Sequence, residues 1–158
     1  MKVIFLDVDG VLNEAFSKSR CPTGCIGVDD DKVELLKQII DATEAKIVLT
    51  STWKRTWSRN KDDCGRDALY LNNKLAKSGL KIADKTIDDS FDRGEGIANW
   101  LKAHPMFDTW IVLDDDIFSD YEQYGIIPRL VNTNFYTGGL TDKHVKEAIK
   151  LLNKESAN

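Results

Sequence analysis

The chain is short of cysteine. Only three occur in 158 residues, Cys21, Cys25 and Cys64. So odd and sparse a set does not suggest a disulfide framework and fits a reducing cytosol. Positive charge is not in surplus either. The formal net charge is −4 and the sequence pI about 5.2, which excludes a globally basic nucleic-acid binder but leaves room for a local basic patch. Long apolar runs are missing. The opening Met1-Lys2-Val3-Ile4-Phe5-Leu6 is stopped by Asp7 and Asp9, too early for a signal core or a membrane span, and no later stretch is longer. A cytoplasmic protein is expected. There is no low-complexity tract and no fixed-period repeat. Histidine is scarce. His104, before Pro105, and His144, in the first turn of the last expected helix, read as surface residues without a catalytic part.

What is present is an ordinary folding composition, 42% apolar and 30% charged, enough for one domain spanning residues 1–158. Short apolar runs alternate with helical periodicity. Residues 3–8 read as a buried strand, 46–50 as a second β-branched strand and 109–113 as another, with shorter strands near 80–83 and 129–132. Residues 29–43 read as a helix through Val33, Leu36 and Ile40. Residues 67–78 do so through Leu71 and Leu75, with Gly79 as the stop, and 94–103 through Ile97 and Leu101. Thr141 is placed to cap a final helix carrying Val145, Ala148, Ile149 and Leu152. Strands alternating with helices predict an α/β fold, three layers around a central parallel sheet, with its site at the carboxyl ends of the strands.

Three of those strand ends carry reactive groups: Asp7-Val8-Asp9, Thr50-Ser51 and Asp114-Asp115-Asp116. Two residues apart on a straight strand, Asp7 and Asp9 would share a face, unless the chain bends at Gly10. Asp after a strand is often simple turn chemistry, but two acidic ends on one sheet repel unless a cation lies between them. Mg2+ suits that role, since it takes a few carboxylates, waters and a phosphate oxygen. Asp7 would be ionised at neutral pH and need no base to attack phosphorus, with Asp9 as general acid and base. Thr50 and Ser51 offer hydroxyls, and Arg93, ahead of a helix start, offers a cation for phosphate oxygens.

Taken in chain order, Asp7-Val8-Asp9-Gly10-Val11, Ile47-Val48-Leu49-Thr50-Ser51, Arg93 and Ile111-Val112-Leu113-Asp114-Asp115 resemble the four motifs of the haloacid dehalogenase (HAD) superfamily. The resemblance spans nearly the whole chain. It implies a Rossmann-like fold with the Asp7 strand in the middle, an aspartyl-phosphate on Asp7 and Asp9 as general acid/base. It also implies Mg2+ held by Asp7, Asp114 and the main-chain carbonyl of Asp9, with Asp115 assisting. Ser51 matches the hydroxyl position, with Thr50 as alternative. Arg93 matches the basic position, where the superfamily often has Lys, and Lys85 competes. The Asp114-Asp115-Asp116 run leaves the metal register open by one residue. Ser51-Thr52-Trp53-Lys54, residues 93–101 and Gly139-Leu140-Thr141 are similar to the phosphatase-like domains of multidomain "Swiss Army knife" RNA-repair proteins.

Neither residues 10–46 nor residues 52–93 leave room for a large cap, so an open site is expected, with residues 13–27 as a small flap. The stretch Trp53-Lys54-Arg55-Thr56-Trp57-Ser58-Arg59-Asn60-Lys61 carries cations and indoles without an acid. Thr50, Thr52, Trp53, Lys54 and Arg55 are therefore candidate contacts to a phosphorylated substrate, polynucleotide ends above all. The other reading is a basic loop whose tryptophans pack on the domain. Cys21, Cys25, Cys64 and His104 have spacings compatible with zinc, although nothing in the sequence brings them together. The leading expectation is a Mg-dependent phosphomonoester hydrolase without a membrane partner, for which a monomer is plausible. The alternative substrates are small nucleotides and phosphoproteins. The alternative classes are a phospho-acceptor module or a degenerate binding domain. The order of the acidic pairs favours the phosphatase, since receiver domains accept phosphate on a later strand.

Overall fold

The computed structural model describes residues 1–88 and 92–154. Five strands form one parallel sheet: β1 (Lys2–Leu6), β2 (Lys46–Leu49), β3 (Ile82–Lys85), β4 (Thr109–Asp114) and β5 (Leu130–Asn132). Four α-helices connect and follow them: α1 (Asp30–Thr43), α2 (Arg66–Ala76), α3 (Arg93–Ala103) and α4 (Asp142–Asn153). The sheet order is β3-β2-β1-β4-β5. The chain thus winds outward from β1 to β3 and returns to lay β4 on the other side of β1. A crevice opens where the order reverses, beyond the ends of β1 and β4.

Alternation along the strands divides the core into two layers. Ile4, Leu6, Ile47, Leu49, Ile111 and Leu113 face Val33, Leu36 and Ile39 of α1, Ala68, Leu71 and Leu75 of α2, and Val145, Ala148 and Leu152 of α4. Val3, Phe5, Val48 and Val112 face Ile97 and Trp100 of α3, together with Tyr121 and Ile126. Both faces are covered, which explains why the strands read as continuous apolar runs. Burying a side chain such as Phe5, which is wholly inaccessible, stabilises the fold by about 1.5–3 kcal/mol. Among the described residues no large cap interrupts the connections.

Several boundaries shift from those read in the sequence. β1 ends at Leu6 rather than Val8, so Asp7 and Asp9 leave the strand before its alternation can align them. The third strand starts two residues later than expected and reaches Lys85. Arg93 opens α3 instead of preceding it. The cysteines do not suggest a disulfide framework, yet one disulfide is present: Cys21 and Cys25 pair inside the flap, and Cys64 alone is free among the described residues. No described helix is long and apolar enough to cross a membrane.

Candidate functional site

The ends of β1 and β4 bring Asp7, Asp114 and Asp115 together, each offering a carboxylate oxygen within 4.8 Å of the others. The pairing Leu6 to Leu113 and the hydrogen bond from Asp7 N to Leu113 O, 2.9 Å, fix the two strand ends side by side. Asp7 is nearly inaccessible and Asp114 wholly so. A cavity of about 280 Å³ lies over them, lined by Asp7, Asp9, Thr52, Arg93, Asp114, Asp115, Asp116, Phe118 and Phe135.

The electrostatics of this cluster are unfavourable as it stands. Burial, then Asp114, pushes the Asp7 carboxyl well above its ordinary range; Arg93 opposes that shift and Asp115 and Asp9 add to it. Burial and Asp114 lift Asp115 to about 6. Burial works to lower the Arg93 pKa, but the Asp7 and Asp114 carboxylates outweigh it and the guanidinium stays charged. Arg93 Nη1 lies 3.0 Å from Asp7 Oδ1 and 2.8 Å from Asp114 Oδ2, and its guanidinium covers the Phe118 ring at 4.3 Å. One guanidinium leaves at least two of the three carboxylates uncompensated. Buried like charges of this kind are stable when protonated or when a cation joins them. The all-oxygen donor set suits a hard divalent ion such as Mg2+.

The Asp9 side chain takes a different position from the acidic cluster. Its Oδ1 accepts from Asn13 Nδ2 at 2.9 Å and its Oδ2 from Trp53 Nε1 at 3.2 Å. The turn at Gly10 makes this divergence possible. Gly10 has φ +81°, and a Cβ there would run into the Asp115 carboxylate, so the position excludes any side chain for two reasons. Asn13 also accepts from Gly10 N at 2.9 Å and donates to Gly27 O at 2.8 Å. The flap over residues 13–27 is thereby tied to the loop that carries both aspartates.

Thr50 and Ser51 both lie buried at the end of β2. Ser51 Oγ accepts from Trp53 N at 3.3 Å, capping a 3-10 helix over Thr52–Thr56. Thr50 Oγ1 is a buried hydroxyl without a hydrogen-bond partner among the described residues. Such a group costs free energy unless a ligand or water satisfies it. Lys85 does not compete with Arg93 for the site. Its Nζ donates to Lys54 O at 3.0 Å and Trp57 O at 2.7 Å, which pins the 3-10 helix to β3.

The basic-aromatic stretch is not the exposed stacking surface it suggests. Trp53 is buried and lies 6.3 Å from Tyr70 in a stacked arrangement, and Trp57 is buried with Nε1 on Asn72 Oδ1 at 3.0 Å. Lys54 is buried too. Its Nζ donates to Thr50 O at 3.2 Å and Thr86 Oγ1 at 3.1 Å and pairs with Asp88. Burial lowers the Lys54 pKa, against the pull of Asp88. Of the expected substrate contacts, Arg55 stays exposed and Thr52 lines the cavity. Zinc spacing is likewise not realised. Cys64 Sγ accepts from Ser58 N at 3.3 Å, and His104 stacks on Trp100 at 3.9 Å, while Cys21 and Cys25 are paired elsewhere.

Sequence reasoning missed three supports of the site. Tyr121 donates from its hydroxyl to Asp114 Oδ2 at 2.8 Å, with its pKa raised by burial and then by Asp114. Thr133 Oγ1 donates to Gly10 O at 2.6 Å. Asn13 is the third. Tyr121 and Thr133 follow the acidic motif in irregular chain, where no periodicity marks them. The recognisable signal is Asn13, a polar residue directly after the apolar Val11 and Leu12 and three residues beyond Gly10.

No curated protein and no solved structure matches the chain. A family model described as "HAD domain in Swiss Army Knife RNA repair proteins" matches residues 3–145. HAD domains are generally hydrolases, phosphatases among them, that use Mg2+, and the cluster of Asp7, Asp114 and Asp115 suits such an ion. The match takes in every strand of the sheet and all four motif positions, and the chain belongs to this family of HAD domains.

Proposed function

We propose that the chain is a magnesium-dependent phosphomonoester hydrolase that works through an aspartyl-phosphate on Asp7, with the phosphorylated end of an RNA or DNA as substrate. The observation that carries this reading is the convergence of Asp7, Asp114 and Asp115 beside Arg93 in an open cavity. The family's description, with its reference to RNA repair, supports the choice of substrate. Asp7, Asp114 and the Asp9 carbonyl would hold the ion, with Asp115 assisting. When bound it supplies positive charge that offsets the carboxylates and the phosphate oxygens.

The residues then divide the chemistry. An Asp7 carboxylate oxygen forms a bond to phosphorus as the bond to the leaving oxygen breaks, and that oxygen takes a proton from Asp9. Asp9 next removes a proton from water, whose oxygen bonds to phosphorus. The bond from phosphorus to Asp7 breaks, releasing inorganic phosphate and restoring the carboxylate. Asn13 and Trp53 hold Asp9 in one orientation through both steps. Arg93, with Ser51 or the unpartnered Thr50 hydroxyl, would bind phosphate oxygens. Turnover of an aryl phosphate with Mg2+, then of oligonucleotides phosphorylated at either end, tests the reading. Asp7→Asn keeps the shape but removes the nucleophile, and should lose at least about a thousandfold in kcat. Comparable turnover by Asp7→Asn would refute the assignment.

A further inference from the structure

We propose that Phe135, Tyr136 and Phe16 form a stacking platform for the base of the nucleotide that carries the phosphate. This rests on the phosphatase reading and assigns the part of the site that holds the leaving group. Phe135 lines the same cavity as Asp7, Asp9 and Arg93. Its neighbour Tyr136 is 75% exposed and Phe16 79%. Ala15 N donates to Phe135 O at 2.8 Å, which joins the flap carrying Phe16 to the loop carrying the other two rings.

That loop is held to the nucleophile turn. Thr133 Oγ1 bonds to Gly10 O at 2.6 Å, and Leu140 N to Val11 O at 3.0 Å. Gly139, at φ +59°, lies where a Cβ would meet Asn13 O at 2.6 Å. Tyr136 N is in turn fixed on Asn134 Oδ1 at 2.8 Å. Exposed rings on a pinned loop form a preorganised surface, unlike scattered apolar side chains on a mobile one. Phe118 also lines the cavity, but Arg93 at 4.3 Å and Tyr121 at 5.4 Å already engage its ring.

A substrate with its phosphorus at Asp7 extends its organic part over the cavity mouth. Asp115 and Asp116 line the cavity and offer no positive charge to a further backbone phosphate, so the base is the part of the leaving group that the neighbouring rings can hold. Every base has a planar face, so stacking tolerates sequence. The ring of a phosphotyrosine is bonded directly to the bridging oxygen and would reach only the cavity wall. Tyr136 and Phe16 are not among the lining residues but adjoin one. The Tyr136 ring stands edge to face with that of Phe135 at 5.3 Å, so a base can stack on one ring with its edge toward the other. Phe16 follows the Ala15 that bonds to Phe135 O.

The test compares kcat/KM with Mg2+ for ribose 5-phosphate, adenosine monophosphate, an oligonucleotide phosphorylated at either end, and tyrosine phosphate. The proteins are the natural chain and the double variant Tyr136→Ala with Phe16→Ala, both at exposed positions. The natural chain should favour the base-bearing esters over ribose 5-phosphate. In the double variant that ratio should fall toward one, by about five- to a hundredfold, the usual consequence of losing base–aromatic stacking. A fall for the oligonucleotide alone assigns the base to a polynucleotide end; a fall for both nucleotides admits the free one. An unchanged ratio, or a loss confined to tyrosine phosphate, would overturn the platform. Absence of turnover of all four esters would sink the phosphatase reading instead. Calorimetric binding of adenosine monophosphate in the Asp7→Asn background then still decides the platform, since equal affinity with and without the two rings contradicts it.

Discussion

At the residue scale, function concentrates in side chains that the surrounding fold does not favour. Asp7 and Asp114 are buried acids within reach of one another, an arrangement a structural role would not require. Their place at strand ends was legible because an apolar run that stops at an acid is a strong local signal. Their partners were not: Tyr121 reaches Asp114 from seven positions downstream, across a segment without periodicity. Trp53 and Lys54 pack inward, the second of the two readings the sequence leaves open, and the sequence could not choose for a physical reason. Counting charges along a loop cannot reveal that it coils into a 3-10 helix and turns its cation inward. Trp53 serves the site by holding Asp9. Trp53→Phe keeps the ring packed on Tyr70 and removes only the N–H donor. It should lower kcat by about tenfold, the rate equivalent of ~1.4 kcal/mol for a hydrogen bond to a charged group. Steady-state kinetics with thermal melts check this; an unchanged kcat would show that the bond does not position Asp9.

At the scale of elements, the helix and strand types were readable and their ends were not. β1 stops two residues short of its expected end because Asp7 turns toward the cluster while Asp9 turns toward Asn13 and Trp53. Arg93 could be chosen over Lys85 only once the register of β3 was known, since that strand directs Lys85 to the carbonyls of Lys54 and Trp57. The contact of Lys54 with Thr50, Thr86 and Asp88 clamps the end of β2 to the chain leaving β3. Lys54→Ala leaves Asp88 without its counter-charge at a largely buried position and should destabilise the fold by about 2–3 kcal/mol. Urea unfolding measures this. A loss confined to oligonucleotide turnover, with stability intact, would instead return Lys54 to the substrate.

At the scale of the whole molecule, the sheet order sets the chemistry. Placing β4 beside β1 brings two acidic strand ends together, a repulsion that protons or a bound cation would relieve. Asp115, lifted to about 6, and Asp7, lifted as well, bind protons more tightly folded than unfolded. Their contribution to metal-free stability is therefore present at low pH and lost as pH rises through the folded pKa values, from about 4 to 6 for Asp115. On the proposed function, Mg2+ would compete with those protons. Its stabilisation should be large at about pH 7.5 and should shrink at about pH 5. Melts with a chelator and with millimolar Mg2+ at both values check the sign; an equal Mg2+ increment at both would contradict it.

The central claim is that a side-chain oxygen of Asp7 attacks phosphorus. Borohydride quenching during turnover tests it most directly, because an acyl phosphate is reduced and leaves homoserine in place of the aspartate. The account predicts homoserine at position 7, formed only with both Mg2+ and substrate. Reduction at Asp9 or Asp115, or continued turnover with Asp7 unmodified, would contradict it.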